Sequence, residues 1–236
     1  MRENAPPRQL AFDLPLDPRY GREDFLVGPA NETAYALIEA WPDWPDSVLV
    51  LTGPSGSGKS HLAAIWAERA HAWTVPAAAV SLDAGQHLVS NGALVIEDID
   101  RAENRDEAAL FHLLNRARER GCPVLMTSAT GIDALGLATP DLRSRLRLAP
   151  RIAIEAPDDA LLRAVLVKLF VDRQLVVDLA VIDSLALRID RSLGRARDVV
   201  AELDRDALGR RRRISRPLVL EVLRRMGFDE EAEPEG

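Results

Sequence analysis

The run Gly53-Pro54-Ser55-Gly56-Ser57-Gly58-Lys59-Ser60 has the residue types and spacing needed to cradle a polyphosphate. Its glycines let the backbone wrap closely, so that main-chain N–H groups face phosphate oxygens. A helix starting at Lys59 adds the positive end of its dipole. Lys59 would neutralise the outer phosphates and the Ser60 hydroxyl would hold Mg²⁺. His61, next in line, completes this set of cofactor-binding candidates. Arginine supplies 28 of the 30 basic residues, and the only lysines are Lys59 and Lys168, so a lysine at this position is no accident of composition.

Leu94-Val95-Ile96-Glu97-Asp98 is an apolar run that ends in two carboxylates. Glu97 would organise Mg²⁺ together with Ser60, and Asp98 would orient an attacking water. The next apolar run ends in Thr127 and Ser128, which could sense a terminal phosphate or serve only the turn. Pro140-Asp141-Leu142-Arg143-Ser144-Arg145-Leu146-Arg147 sets three arginines at alternate positions. They read either as a solvated basic helix or as the source of an arginine finger that reaches a neighbouring subunit's nucleotide, worth about 10³ to 10⁵ in rate. Arg191, Arg195 and Arg197 open a later helix, from which one could fold back onto the phosphates. The four arginines at 210–213 read most simply as a solvated run, with contact to DNA phosphate as the other reading.

These residues need elements to position them. Residues 47–51, 93–97, 123–127 and 151–154 are short apolar strands, and a weaker strand is expected within 77–82. Helical patterns at 59–71 and 107–120 separate them. Strands that are apolar throughout and alternate with helices imply a parallel five-stranded sheet flanked by helices on both faces. After Pro157 the period becomes 3.6 residues, at 158–173, 178–189, 192–209 and 217–226, which predicts a small all-α lid. The expected layout is an N-terminal arm at 1–20, an α/β nucleotide-binding domain at 21–156, a helical lid at 157–228 and an acidic tail at 229–236.

Composition excludes several classes. The 236 residues are 47% hydrophobic, enough for a packed core, and the net charge of −7 disfavours a bulk nucleic-acid coat. A single cysteine, Cys122, excludes an internal disulfide framework and a cysteine-based zinc module. No apolar stretch reaches the roughly 18 residues of a membrane span, and the N-terminus lacks the apolar core of a signal peptide, so a cytoplasmic location is expected.

Taken in order, the phosphate loop, acidic strand, sensor strand, Ser144-Arg145-Leu146 and a lid carrying its own arginine resemble an AAA+ P-loop NTPase of the DnaA-related branch, over about residues 21 to 228. Asp24-Phe25-Leu26-Val27-Gly28-Pro29-Ala30-Asn31 is similar to that branch's adenine-wrapping segment, which implies that Leu26 and Val27 contact the base. Residues 140–146 are similar to its finger motif, which implies Arg145 as the catalytic finger. The lid helix aligns Arg195 with the lid sensor, with Arg197 as the substitute. Gln9-Leu10-Ala11-Phe12-Asp13-Leu14 resembles the hexapeptide by which replication proteins plug the bacterial sliding clamp, with Gln9 on the rim and Leu10, Phe12 and Leu14 as apolar anchors. The initiator's own N-terminal partner domain and C-terminal helix-turn-helix are not expected here.

This combination resembles the Hda type (HdaA in alphaproteobacteria). The resemblance implies an ADP- or ATP-binding, Mg²⁺-dependent protein of the bacterial replisome and nucleoid. Its partners would be the initiator DnaA and the β sliding clamp of DNA polymerase III, with self-association possible in principle and DNA reached through the clamp. Its activity would be to stimulate hydrolysis of DnaA-bound ATP. The short interval from Lys59 to Glu97 implies that the initiator's single-strand-gripping helix is missing, and Glu97 stands where Asp is usual. A stand-alone helicase loader and a nucleotide-gated adaptor without catalysis remain alternatives at this stage.

Overall fold

The structure is a computed structural model that describes residues 20–90, 92–102, 105–210 and 213–228, with backbone alone at 84–86, 90 and 210. Residues 1–19 and the tail beyond 228 fall outside it, and with them Gln9, Leu10, Phe12 and Leu14.

Five parallel strands form one sheet: β1 (Val48–Thr52), β2 (Trp73–Pro76), β3 (Leu94–Glu97), β4 (Val124–Ser128) and β5 (Arg151–Ala153), in the order β2-β3-β4-β1-β5. Both β1 and β3 pair with β4 from opposite sides, so that Val48 and Leu94 share Val124 as register partner. This centre is buried on both faces, which is why its strands carry no polar alternation. Successive side chains of a strand point to opposite faces. Val48, Val50, Leu94 and Ile96 therefore pack with α4 (Glu107–Arg120) and α5 (Pro140–Leu148), through Leu110, Leu113, Leu142 and Leu146. Leu49, Leu51, Val95 and Leu125 face the other way, onto α1 (Glu32–Glu39) and α2 (Lys59–Ala70), where Ile38, Leu62 and Trp66 complete a second cluster. The nine-residue α3 (Leu82–Ser90) lies between β2 and β3 and is the one α-helix there among the described residues.

The weak strand expected within 77–82 lies earlier, at Trp73–Pro76. Residues Ala77–Ala79 form a 3₁₀ turn instead. The reason is positional: β2 is an edge strand, mostly exposed and paired only with β3, so it lacks a continuous apolar run.

The C-terminal unit is all helix: α6 (Asp159–Asp172), α7 (Leu179–Ala186), α8 (Leu193–Arg210) and α9 (Arg216–Arg225). The Asp158 carboxylate caps α6 by accepting from the Leu161 N–H at 2.7 Å. Phe170, Leu185, Val199, Leu203 and Val222 fill a core separate from both faces of the sheet. No helix among the described residues is long and apolar enough to cross a membrane.

Candidate functional site

Where β1 ends, the glycine-rich loop crosses to α2 and lines a cavity of about 310 Å³ shared by the sheet unit and the helical unit. Glycine is required at two points. A Cβ on Gly53 would stand 2.4 Å from the Ile154 carbonyl oxygen. Gly56 has φ +75°, and a Cβ there would meet the Ser192 hydroxyl and the Gly194 nitrogen. The second collision exists because the lid rests on the loop. The Leu193 and Gly194 N–H groups at the start of α8 donate to the Gly56 carbonyl at 2.8 and 3.3 Å, and the Ser192 hydroxyl donates to the Ser55 carbonyl at 3.3 Å.

Lys59 is buried and turns back into the loop, donating to the Gly53 and Pro54 carbonyls at 2.7 and 2.9 Å. Burial holds its ammonium below the usual lysine range, partly offset by Asp100 and Asp98. An ammonium held this way is under-solvated and placed to receive phosphate.

At the end of β3, Asp98 lines the cavity, whereas Glu97 is half-buried and does not. The Asp98 backbone has φ +55°, a conformation Asp tolerates better than most residues. Its N–H donates to the Thr127 hydroxyl at 3.0 Å, and the Ile99 N–H donates to the Thr127 carbonyl. Thr127 and Ser128 are both buried and neither lines the cavity. Thr127 therefore meets the cavity wall only through the Asp98 N–H, and Ser128 exchanges hydrogen bonds with the Thr130 backbone.

The far wall is aromatic and apolar. Phe25 stacks on Tyr35 and meets the edge of His61, which also meets Tyr20. The His61 Nε2 donates to the Gly21 carbonyl at 2.9 Å, and burial holds its imidazole below the usual histidine range. Leu26 lines the cavity, but Val27 is half exposed and does not. Buried Asn31 fixes this wall: its side chain accepts from the Gly28 N–H at 2.8 Å and donates to the Leu26 carbonyl at 3.0 Å.

The lid arginine is where the geometry departs most from the sequence reading. Arg195 does not line the cavity; it lies 3.8 Å from Asp190 and over the Phe228 ring. Arg197 does line it, with its guanidinium 5.8 Å from the Tyr20 ring centre. Residues two apart on a helix lie about 200° apart, so only one of the two can face the loop. Sequence reasoning also passed over Arg101, which donates to the Ser55 hydroxyl at 3.0 Å, and over Asp24, Lys168 and Asp172, which line the same cavity. The scarcity of lysine was the one signal that pointed to Lys168.

Away from the cavity, α5 disposes of its three arginines differently. Arg143 donates to the Leu137 carbonyl and Arg147 pairs with Asp133 at 2.5 Å. The Arg145 side chain is exposed and has no hydrogen-bonding or ionic partner among the described residues.

The residues present fit an adenine nucleotide. Cationic Lys59 and Arg101 line the cavity with the glycine-rich loop, while Phe25, Leu26 and His61 line it together with Arg197, whose guanidinium lies beside the Tyr20 ring. Ser55, Ser60 and Asp98 bring side-chain oxygens to the cavity near the loop; the described residues hold no cluster of three metal-ligating side chains. Bound Mg²⁺ and its waters would supply charge neutralisation there.

No family model matches the chain. The initiator DnaA of Gluconobacter oxydans is 28% identical over 166 residues, covering 60% of this chain and 35% of that protein. DnaA of Caulobacter sp. is 28% identical over 170 residues, covering 62% and 35%. Domain III of Thermotoga maritima DnaA superposes with a TM-score of 0.76 at 19% identity, over 89% of this chain and 98% of that one. The chain has the AAA+ P-loop NTPase fold and is similar to DnaA in sequence. The AAA+ fold extends further, to the RuvB Holliday junction branch migration motor of Thermotoga maritima, with a TM-score of 0.69, 18% identity and coverage of 87% and 72%. A DnaA structure bound to AMPPCP and single-stranded DNA gives 0.64 at 19% identity, over 78% and 64%. The chain spans about a third of the length of the curated relatives it matches.

Proposed function

We propose that this DnaA-like AAA+ protein is a nucleotide-bound regulator of replication initiation of the Hda type, which stimulates hydrolysis of ATP held by DnaA. The observation that carries the reading is Arg145. It is exposed and untied, while its neighbours Arg143 and Arg147 are held against the protein's own surface. An arginine kept free at the surface of an AAA+ domain can enter a partner's nucleotide site and stabilise charge developing on the transferred phosphate. The chain's own cavity then serves as the regulatory nucleotide site. Lys59 and Arg197 would hold the phosphates, Ser60 with the Glu97-Asp98 turn would hold Mg²⁺, and Leu26, Phe25 and His61 would wall the adenine, with ADP the favoured occupant. Clamp docking falls to Gln9, Leu10, Phe12 and Leu14, a short apolar string suited to a preformed pocket.

The test is hydrolysis of labelled ATP pre-bound to the cognate DnaA, with this protein, ADP and DNA-loaded clamp each included or omitted. Acceleration is expected only with all three. Arg145→Ala is expected to remove about 10³-fold of it, while leaving ADP binding by the chain itself unchanged. Lys59→Ala is expected to abolish ADP binding, and Gln9→Ala with Leu10→Ala to abolish clamp capture. Full acceleration by Arg145→Ala would overturn the finger assignment.

A further inference from the structure

We propose that Lys168 is a positioning residue that sets how long nucleotide stays bound, by clasping the lid to the base wall together with Asp24 and Asp172. The proposal rests on the nucleotide-binding reading above. The Lys168 ammonium lies 2.6 Å from Asp24 Oδ1 and 3.0 Å from Asp172 Oδ2. Asp172 belongs to the same lid helix, α6. Asp24 ends the 3₁₀ turn Arg22–Asp24, immediately before Phe25 and Leu26. The Lys168–Asp24 bond therefore joins the lid to the segment that walls the base, and all three side chains line the cavity.

The three side chains are 14 to 34% exposed, so this is neither a surface pair nor a fully desolvated one. The hydrogen bond to Asp24 holds the Lys168 ammonium above the usual lysine range, so it stays charged. The choice of residue matches the geometry. A compact ammonium with three donors can bridge two carboxylates, which a planar guanidinium fork does less well. This chain uses arginine at 28 of its 30 basic positions, and both of its lysines line this one cavity.

The lid touches the sheet unit at the other end of the cavity too, but there the bonds are neutral: α8 N–H groups and Ser192 on loop carbonyls. Among the described residues, the Lys168–Asp24 pair is the ion pair that joins the two units at this end of the cavity. Nucleotide release requires the lid and the base wall to part, and the clasp must break for that.

The experiment is stopped-flow release of fluorescent mant-ADP from the full chain, chased with excess ADP, at low and high KCl. Lys168→Met is expected to release about tenfold faster at low salt, the effect of losing one charge-assisted bond, and the gap to wild type is expected to narrow only in part at high salt because the pair is partly buried. Asp24→Asn is expected to do the same, and the double variant to release no faster than either single variant. Should Lys168→Met fail to fold, Asp24→Asn carries the test alone. Release within about twofold of wild type at low salt overturns the clasp, as does a double variant whose acceleration is the product of the two single effects. A folded wild-type chain that does not bind mant-ADP overturns the nucleotide reading itself and the clasp with it.

Discussion

The assignment of the lid sensor to Arg197 rather than Arg195 can be tested by truncating each to alanine. Arg197 lines the same cavity as Lys59, and on the proposed reading its guanidinium donates to a bound phosphate. A hydrogen bond to a charged group contributes about 1.5–3 kcal/mol. At about 1.4 kcal/mol per tenfold, Arg197→Ala is expected to weaken ADP binding by about 10- to 150-fold. Arg195 faces Asp190 at 3.8 Å, with side chains 50% and 71% exposed. Such a pair is worth about 0–1 kcal/mol of stability. Its contact with the Phe228 ring adds little more at an exposed site, and neither interaction touches the cavity. Arg195→Ala is therefore expected to leave ADP affinity unchanged. The assay is equilibrium titration with fluorescent ADP, with a melting curve for each variant to show that the lid is still folded. A larger loss for Arg195→Ala than for Arg197→Ala would refute the reasoning, because it would require α8 to present its opposite face to the loop.

Asn31→Ala removes both side-chain bonds of a buried residue and leaves the Gly28 N–H and the Leu26 carbonyl unpaired. A loss of about 1–3 kcal/mol is expected in urea denaturation, with weaker ADP binding because Leu26 walls the cavity; an unchanged midpoint would contradict the clip. Gly194→Val places a branched side chain where a Cβ already stands 3.3 Å from the Gly56 Cα. It is expected to push the lid off the loop and weaken ADP binding while the lid's own core keeps it folded, and unaltered affinity would count against the lid–loop contact. His61 is held below the usual histidine value, chiefly by burial. The unfolded chain therefore binds more protons as pH falls below about 6.5, and stability drops there. Wild type is expected to lose more melting temperature than His61→Asn between about pH 7.5 and 5.5, and equal losses would remove His61 from the account.

The phosphate loop was legible because its requirements are local: the glycines, Lys59 and Ser60 sit within eight consecutive residues between a strand and a helix. β1, β3 and β4 were legible because burial on both faces leaves an apolar run in the sequence. β2 was misplaced because an edge strand leaves no such run. The lid sensor was ambiguous for a different reason. The buried face of α8 is marked by Ala196, Val199, Val200 and Leu203, and Arg195 and Arg197 flank Ala196 on either side. The apolar pattern fixes which face turns inward, but which flank meets the loop depends on how the lid docks. That docking rests on contacts such as Ser192 to Ser55, 137 residues apart in the chain.

The same helical geometry explains why alternate arginines divide their labour twice in this chain. In α5, Arg143 and Arg147 are four residues apart and share a face, where both fold back onto the segment before the helix, at Leu137 and Asp133. Arg145 stands midway between them in sequence and so about half a turn away, which leaves it exposed. In α8, Arg195 turns outward and Arg197 turns to the cavity. An alternating pattern would present all its members on one side of a strand; on a helix it splits them between opposite sides. On the proposed reading, a cation facing the chain's own cavity and a cation left exposed for a partner are thus produced by the same spacing, and only the docking of each helix decides which arginine does which.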